Sequence, residues 1–199
     1  MNAQEQEREF LRIARANPSV AAIVERMRDF TAPDLWLVSG CLFQSVWNAL
    51  EGKAPDYGIL DYDLFYFDPD TSYEAEDRWI KCSAAHFGQT GLSVELRNQA
   101  RVHLWYGAKF GIADYPPLKS ARDGVDHFLF PACMVAIRPR GDGALELYAP
   151  LGLDDVFNRV LRPNPLWPQE PDTRFWTKVR RYKAAWPSVR VLEEVKGNA

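Results

Sequence analysis

Residues 59–67 read Ile-Leu-Asp-Tyr-Asp-Leu-Phe-Tyr-Phe, a run whose natural place is the middle of a sheet. A β-strand alternates faces with period two. Asp61 and Asp63 therefore project to one side, and Tyr62, Leu64 and Tyr66 to the other. Phe65 and Phe67 carry the acidic face on into apolar surroundings. The strand is thus expected to be buried along much of its length, with two carboxylates at one end. Like charges held together away from water cost several kcal/mol each unless something offsets them. A divalent cation does so directly, and hard oxygen donors on a rigid strand suit Mg²⁺ or Mn²⁺.

Asp-x-Asp is a common tripeptide, and alone it is as readily a strand cap with an ion pair. A second acid shifts the balance. Glu95 sits between Val94 and Leu96 in another short strand, 93–97. If the two strands are neighbours, Asp61, Asp63 and Glu95 converge. Three carboxylates with two metals make a phosphoryl-transfer site, where the ions clamp the attacking and leaving oxygens. Arg97 shares a strand face with Glu95 and is read first as its ion-pair partner.

The segment before the acidic strand supplies a second element of such a site. Leu35–Val38 is a short apolar strand that ends at Ser39-Gly40-Cys41 and runs directly into a helix bearing Phe43, Val46, Trp47 and Leu50. A strand entering a helix through small residues lets backbone N–H groups approach a phosphate. Ser39, Gly40 and Cys41 are accordingly the candidate nucleotide-binding turn. Arg101 is the candidate triphosphate ligand, because guanidinium is a permanently charged fork. On a strand, Gln99, Arg101 and His103 would share a face; on a helix they would form no tight cluster.

Around these elements the pattern predicts two N-terminal helices divided at Asn17-Pro18 and a helix over 73–87. Further on it predicts a short helix near 121–128 and a hairpin pairing 133–138 with 144–148. An amphipathic helix follows through Leu153, Val156, Phe157, Val160 and Leu161. A Pro-rich stretch, 162–171, leads to a last helix carrying Phe175, Val179, Tyr182 and Trp186. Pro116 marks the best seam. It separates a core with N-terminal helices, 1–115, from a C-terminal extension, 116–199, packed on it.

At 199 residues and 47% apolar composition the chain can build a sizeable core without staples. Its three cysteines, Cys41, Cys82 and Cys133, are odd in number and widely spaced, which argues against a disulfide framework. The net charge of −3 argues against a protein that coats nucleic acid or an anionic membrane. The opening residues are charged, and no apolar run approaches the roughly 20 residues that span a bilayer. A cytoplasmic protein with no membrane partner is expected.

The order of strand, Gly-containing turn and helix, then Asp-x-Asp strand, then apolar-acid-apolar strand resembles the nucleotidyltransferase fold of the DNA polymerase β superfamily. The segments SVWNALEG (45–52), DYDLFYFD (61–68), VELRNQARVHLWYG (94–107), APLGLDDVFNRVLRPNP (149–165) and KAAWPSVRVL (183–192) are similar to a bacterial family of small nucleotidyltransferase-like proteins without an assigned substrate. The resemblance implies an α/β (α+β) fold with a mixed sheet flanked by helices and a C-terminal helical and hairpin extension. It implies catalytic, metal-binding residues Asp61, Asp63 and Glu95, with Mg²⁺ and a nucleoside triphosphate donor. The acceptor is a hydroxyl of a small molecule, an RNA or a protein. Cys41 stands where the superfamily turn has a second Gly or Ser, and the gap from Gly40 to Asp61 is longer than usual. A module that binds nucleotide or a partner without turnover is therefore the alternative.

Overall fold

The computed structural model describes residues 1–112, 114–167 and 172–192. Residues 168–171, within the Pro-rich stretch, lie outside them. Two helices open the chain, α1 (Ala3–Ala16) and α2 (Pro18–Met27). Asn17 divides them: its side chain accepts from the backbone N–H groups of Ser19 and Val20, and Pro18 takes the first helical position. Then come β1 (Trp36–Val38), α3 (Gly40–Leu50), β2 (Tyr62–Tyr66), α4 (Tyr73–Phe87) and β3 (Val94–Asn98). A 3₁₀ segment, Gln99–Leu104, leads into α5 (Tyr106–Phe110) and α6 (Ala121–Asp126). The chain continues through β4 (Ala136–Pro139), β5 (Leu145–Tyr148), α7 (Asp154–Phe157), β6 (Val160–Leu161), α8 (Thr173–Ala185) and β7 (Arg190–Val191).

Five strands form one mixed sheet in the order β3-β2-β1-β4-β5. β2 and β3 are parallel, whereas β1 is antiparallel to both β2 and β4, and β4 to β5. Residues 116–199 thus supply two of the strands. Alternation divides the sheet into two faces. Leu37, Leu64, Tyr66, Leu96 and Ile137 belong to the larger core with residues of α1, α2, α3 and α8. Trp36, Val38 and Ala136 belong to a smaller cluster with Ala121 and Val125 of α6, against which Phe65 and Phe67 pack. That smaller face also carries the acids.

Aromatic side chains fasten α8 to α3. Trp47 lies edge-on to Tyr182 and Trp186, and Trp186 donates its indole N–H to Asn48 at 2.8 Å. Gly58, at φ +72°, lies under the Trp186 ring, where a β-carbon would come within 2.7 Å of it. Glycine at this point lets the loop before β2 close over the core.

One expectation is corrected and one open reading is decided. The helix expected through Leu161 stops at Phe157. Arg159 turns the chain at φ +52°, and Val160–Leu161 pairs in parallel with β7 instead. All five apolar residues are still buried, because a turn followed by a strand buries the same set. The Asp155–Arg162 ion pair at 2.7 Å closes the reversal. In the second case, Gln99, Arg101 and His103 do not line one strand face, since β3 ends at Asn98. The Asn98 side chain accepts from Ala100 N–H at 3.0 Å and Asp68 N–H at 3.1 Å, which starts a 3₁₀ turn there. Among the described residues no helix is long and apolar enough to cross a membrane.

Candidate active site

The parallel ladder places Asp63 directly opposite Glu95, and the antiparallel one places Val38 on the other side of Asp63. Asp61 sits one residue before β2. Asp63 is largely enclosed. Its burial, the Asp61 charge and the Glu95 charge push its pKa up to about 6, while Lys178 and Arg97 pull in the opposite sense. Glu95 lies further out and pairs with Arg97 at 3.1 Å.

The turn between β1 and α3 adjoins these acids. Ser39 adopts φ 57°, ψ −110°, a region that L-residues rarely occupy. Its N–H donates to Val135 O at 2.8 Å, and its carbonyl accepts from Leu42 and Phe43 N–H. No side chain among the described residues caps α3, so its first-turn N–H groups point toward any anion placed there. The Cys41 side chain turns inward and is fully buried. Burial and the charges of Asp63 and Asp61 hold its thiol well above the ordinary range. Cysteine at this point therefore leaves the outer side of the turn open.

A cleft of about 270 Å³ runs from the turn, lined by Ser39, Cys133, Tyr106, His127, Arg174 and Lys178 among others. Arg174 is held by Asp172 at 2.6 Å. It donates to the Tyr106 hydroxyl at 3.3 Å and lies 4.8 Å from the Phe110 ring centroid. Lys178 follows one helical turn later and is exposed. An uncapped helix start and two cations thus border one space, and Asp63 lies near enough to Lys178 to feel its charge.

Arg101 is not brought there. It pairs with Glu76 at 2.7 Å and donates to the Thr71 carbonyl, tying the 3₁₀ segment to α4. The cations at the cleft are Arg174 and Lys178 instead. A sequence signal for them exists in hindsight. They lie one residue before Phe175 and Val179 on α8, at the edge of the apolar stripe, where a long side chain emerges beside the core. Tyr106 and His127 belong to segments with no periodicity and carried no such signal.

Asp61, Asp63 and Glu95 fit a hard divalent cation in donor type and in charge, because Asp63 keeps its proton unusually tightly beside two other acids. Their side chains are not gathered around a common point. No group of three or more His, Cys, Asp or Glu among the described residues stands close enough to hold an ion.

Comparison with known proteins bears on the same elements. A family model described as nucleotidyltransferase matches residues 25–191. No curated protein matches the chain. The chain is similar to an NMR structure described as revealing a CCA-adding enzyme head domain, with 27% identity and a TM-score of 0.75 over 94% of this chain and 96% of that one.

Proposed function

The chain belongs to a nucleotidyltransferase family, and from that premise we propose that the cleft beside Asp63 binds a nucleoside triphosphate and passes its nucleotidyl group to an acceptor hydroxyl. The observation that carries this reading is the Asp63–Glu95 pair beside Val38, the residue that leads into Ser39 and so into the cleft that Ser39, Lys178 and Arg174 line. The N-terminus of α3 and the Ser39–Cys41 backbone take the phosphates. Lys178 and Arg174 neutralise the pyrophosphate as the bond from the α-phosphorus to its bridging oxygen breaks. Asp61, Asp63 and Glu95 would hold Mg²⁺ or Mn²⁺ once their side chains turn onto it, and the ion would supply charge neutralisation and a more acidic acceptor hydroxyl. Glu95, the outermost acid, orients the acceptor and takes its proton as the new oxygen–phosphorus bond forms. The acceptor is a hydroxyl of a small molecule, an RNA or a protein. The cell compartment in this reading is the cytoplasm.

Titration calorimetry with Mg²⁺ and each NTP tests the binding half. Asp61→Ala with Asp63→Ala is expected to abolish metal-dependent NTP binding; unchanged binding would place the site elsewhere. The Glu95–Arg97 pair favours a second reading, in which the third acid is engaged and nucleotide binds without turnover. Metal-dependent pyrophosphate release with pooled acceptors excludes that reading, and tight NTP binding without release supports it.

A further inference from the structure

The acidic face of the sheet continues past the carboxylates into a second, smaller pocket of about 110 Å³. We infer that this pocket takes a nucleobase and that Gln99 reads the edge of the base, an inference that rests on the nucleotidyl-transfer reading above. The pocket begins at Phe65 and Arg97, which face each other in the β2–β3 ladder two residues beyond Asp63 and Glu95. Two residues along a strand advance about 6.6 Å, a step that a pentose bridges. Tyr106, His127 and Phe128 line both this pocket and the phosphate cleft, so one ligand reaches both.

The lining suits a flat heteroaromatic ring. Phe65 and Phe128 are stacked, with centroids 5.6 Å apart and planes 22° from parallel. Aromatic walls accept any base through its π-face, so they supply affinity without choice. Choice needs a donor and an acceptor held side by side, which an amide provides.

Gln99 has that character. Side chains three apart eclipse in a 3₁₀ turn, and Gln99 and Val102 both line the pocket. Gln99 is 2% exposed. The one side-chain hydrogen bond described for it runs from Nε2–H to Arg97 O at 3.3 Å. A second N–H and the amide oxygen remain for a ligand among the described residues. The amide oxygen is not sealed in the core but opens on the pocket, where a ligand can bond to it.

Gly124 explains how the amide comes to lie there. A β-carbon at Gly124 would overlap Gln99 Oε1 and stand 2.8 Å from its Cδ. Glycine inside a helix is destabilising relative to alanine, and α6 carries it where the Gln99 amide crosses its backbone.

The test measures affinities of the full chain for tripolyphosphate, the four NTPs and the four free nucleosides, with Mg²⁺ present. The variants are Gln99→Leu and Gly124→Ala, each checked for cooperative unfolding. Tripolyphosphate carries no base. Its binding should be unchanged by both variants, and its failure to bind the parent chain would fault the nucleotidyl-transfer reading itself. If the donor's base occupies the pocket, the parent chain prefers one NTP by about tenfold and Gln99→Leu erases the preference. If the acceptor's base occupies it, NTP affinities are level and one nucleoside weakens about tenfold in the variants. Either result supports the inference. Tripolyphosphate binding with base-independent NTP and nucleoside affinities, unmoved by Gln99→Leu, overturns it.

Discussion

Asp63 and Glu95 face each other across the parallel pairing of β2 and β3 in the central sheet, and the Glu95 charge helps Asp63 keep its proton. The consequence for stability has a definite sign. The Asp63 pKa stands at about 6 against an ordinary value of 3.8. Between those values the folded chain holds a proton that the unfolded chain releases. Stability from this group is therefore complete below 3.8 and is lost as pH rises to about 6. At neutral pH the ionised carboxylate is a cost. Asp63→Asn should raise unfolding free energy on the order of 2 kcal/mol at pH 7.5 and change it little at pH 3.5. Denaturant melts at the two pH values measure this. Equal effects at both would deny the raised pKa.

The same acid sets the pH range of metal binding. Protons and cations compete for it, so stabilisation by millimolar Mg²⁺ should be clear at pH 7.5 and fade below about pH 6. The thermal shift that Mg²⁺ produces, followed across this range, is the readout. A shift that persists undiminished at pH 5 would locate the metal away from Asp63.

These acids were legible before any coordinates because alternation along a strand is a local rule. Asp61 and Asp63 had to share a face, and an apolar-acid-apolar triplet had to project Glu95 from a second strand. The Ser39 turn was legible for a similar reason, as small residues between a strand and a helix. The sheet's pairing order was not. Nothing local states that β4 lies against β1, so residues 116–199 read as an extension although they complete the sheet. Cleft residues drawn from loops and short turns were also hidden. Tyr106, His127 and Lys178 meet at Ser39 only through tertiary packing, and Arg101 is drawn to Glu76 from a 3₁₀ turn that no local rule announces.

Ser39 bears backbone strain that a glycine would release. A residue with a β-carbon at φ 57°, ψ −110° costs about 1–3 kcal/mol, whereas glycine adds about 0.5–1 kcal/mol of unfolded-chain entropy. Ser39→Gly should therefore leave the protein as stable or up to about 2 kcal/mol more stable, with NTP affinity retained. Ser39→Val should destabilise it, since branching sharpens the clash. Urea melts of both variants decide the matter; a Ser39→Gly protein that is markedly less stable would mean that the hydroxyl, not the backbone, governs the turn.

Arg101 offers the sharpest separation of structure from binding. Its guanidinium and the Glu76 carboxylate are each about 15% exposed, and Glu76 also accepts from Asn98 N–H at 3.2 Å. The pair thus anchors the end of β3 to α4, and it acts on the site only through that anchorage. Removing one partner of an enclosed pair strands the other's charge. Arg101→Ala should cost about 2 kcal/mol of stability, and Glu76→Gln in the same chain should recover part of the loss, as a coupled pair requires. NTP affinity, measured where both proteins are fully folded, should stay within twofold of the parent. A tenfold loss of affinity at unchanged stability would return Arg101 to the triphosphate and displace Arg174 and Lys178 from that role.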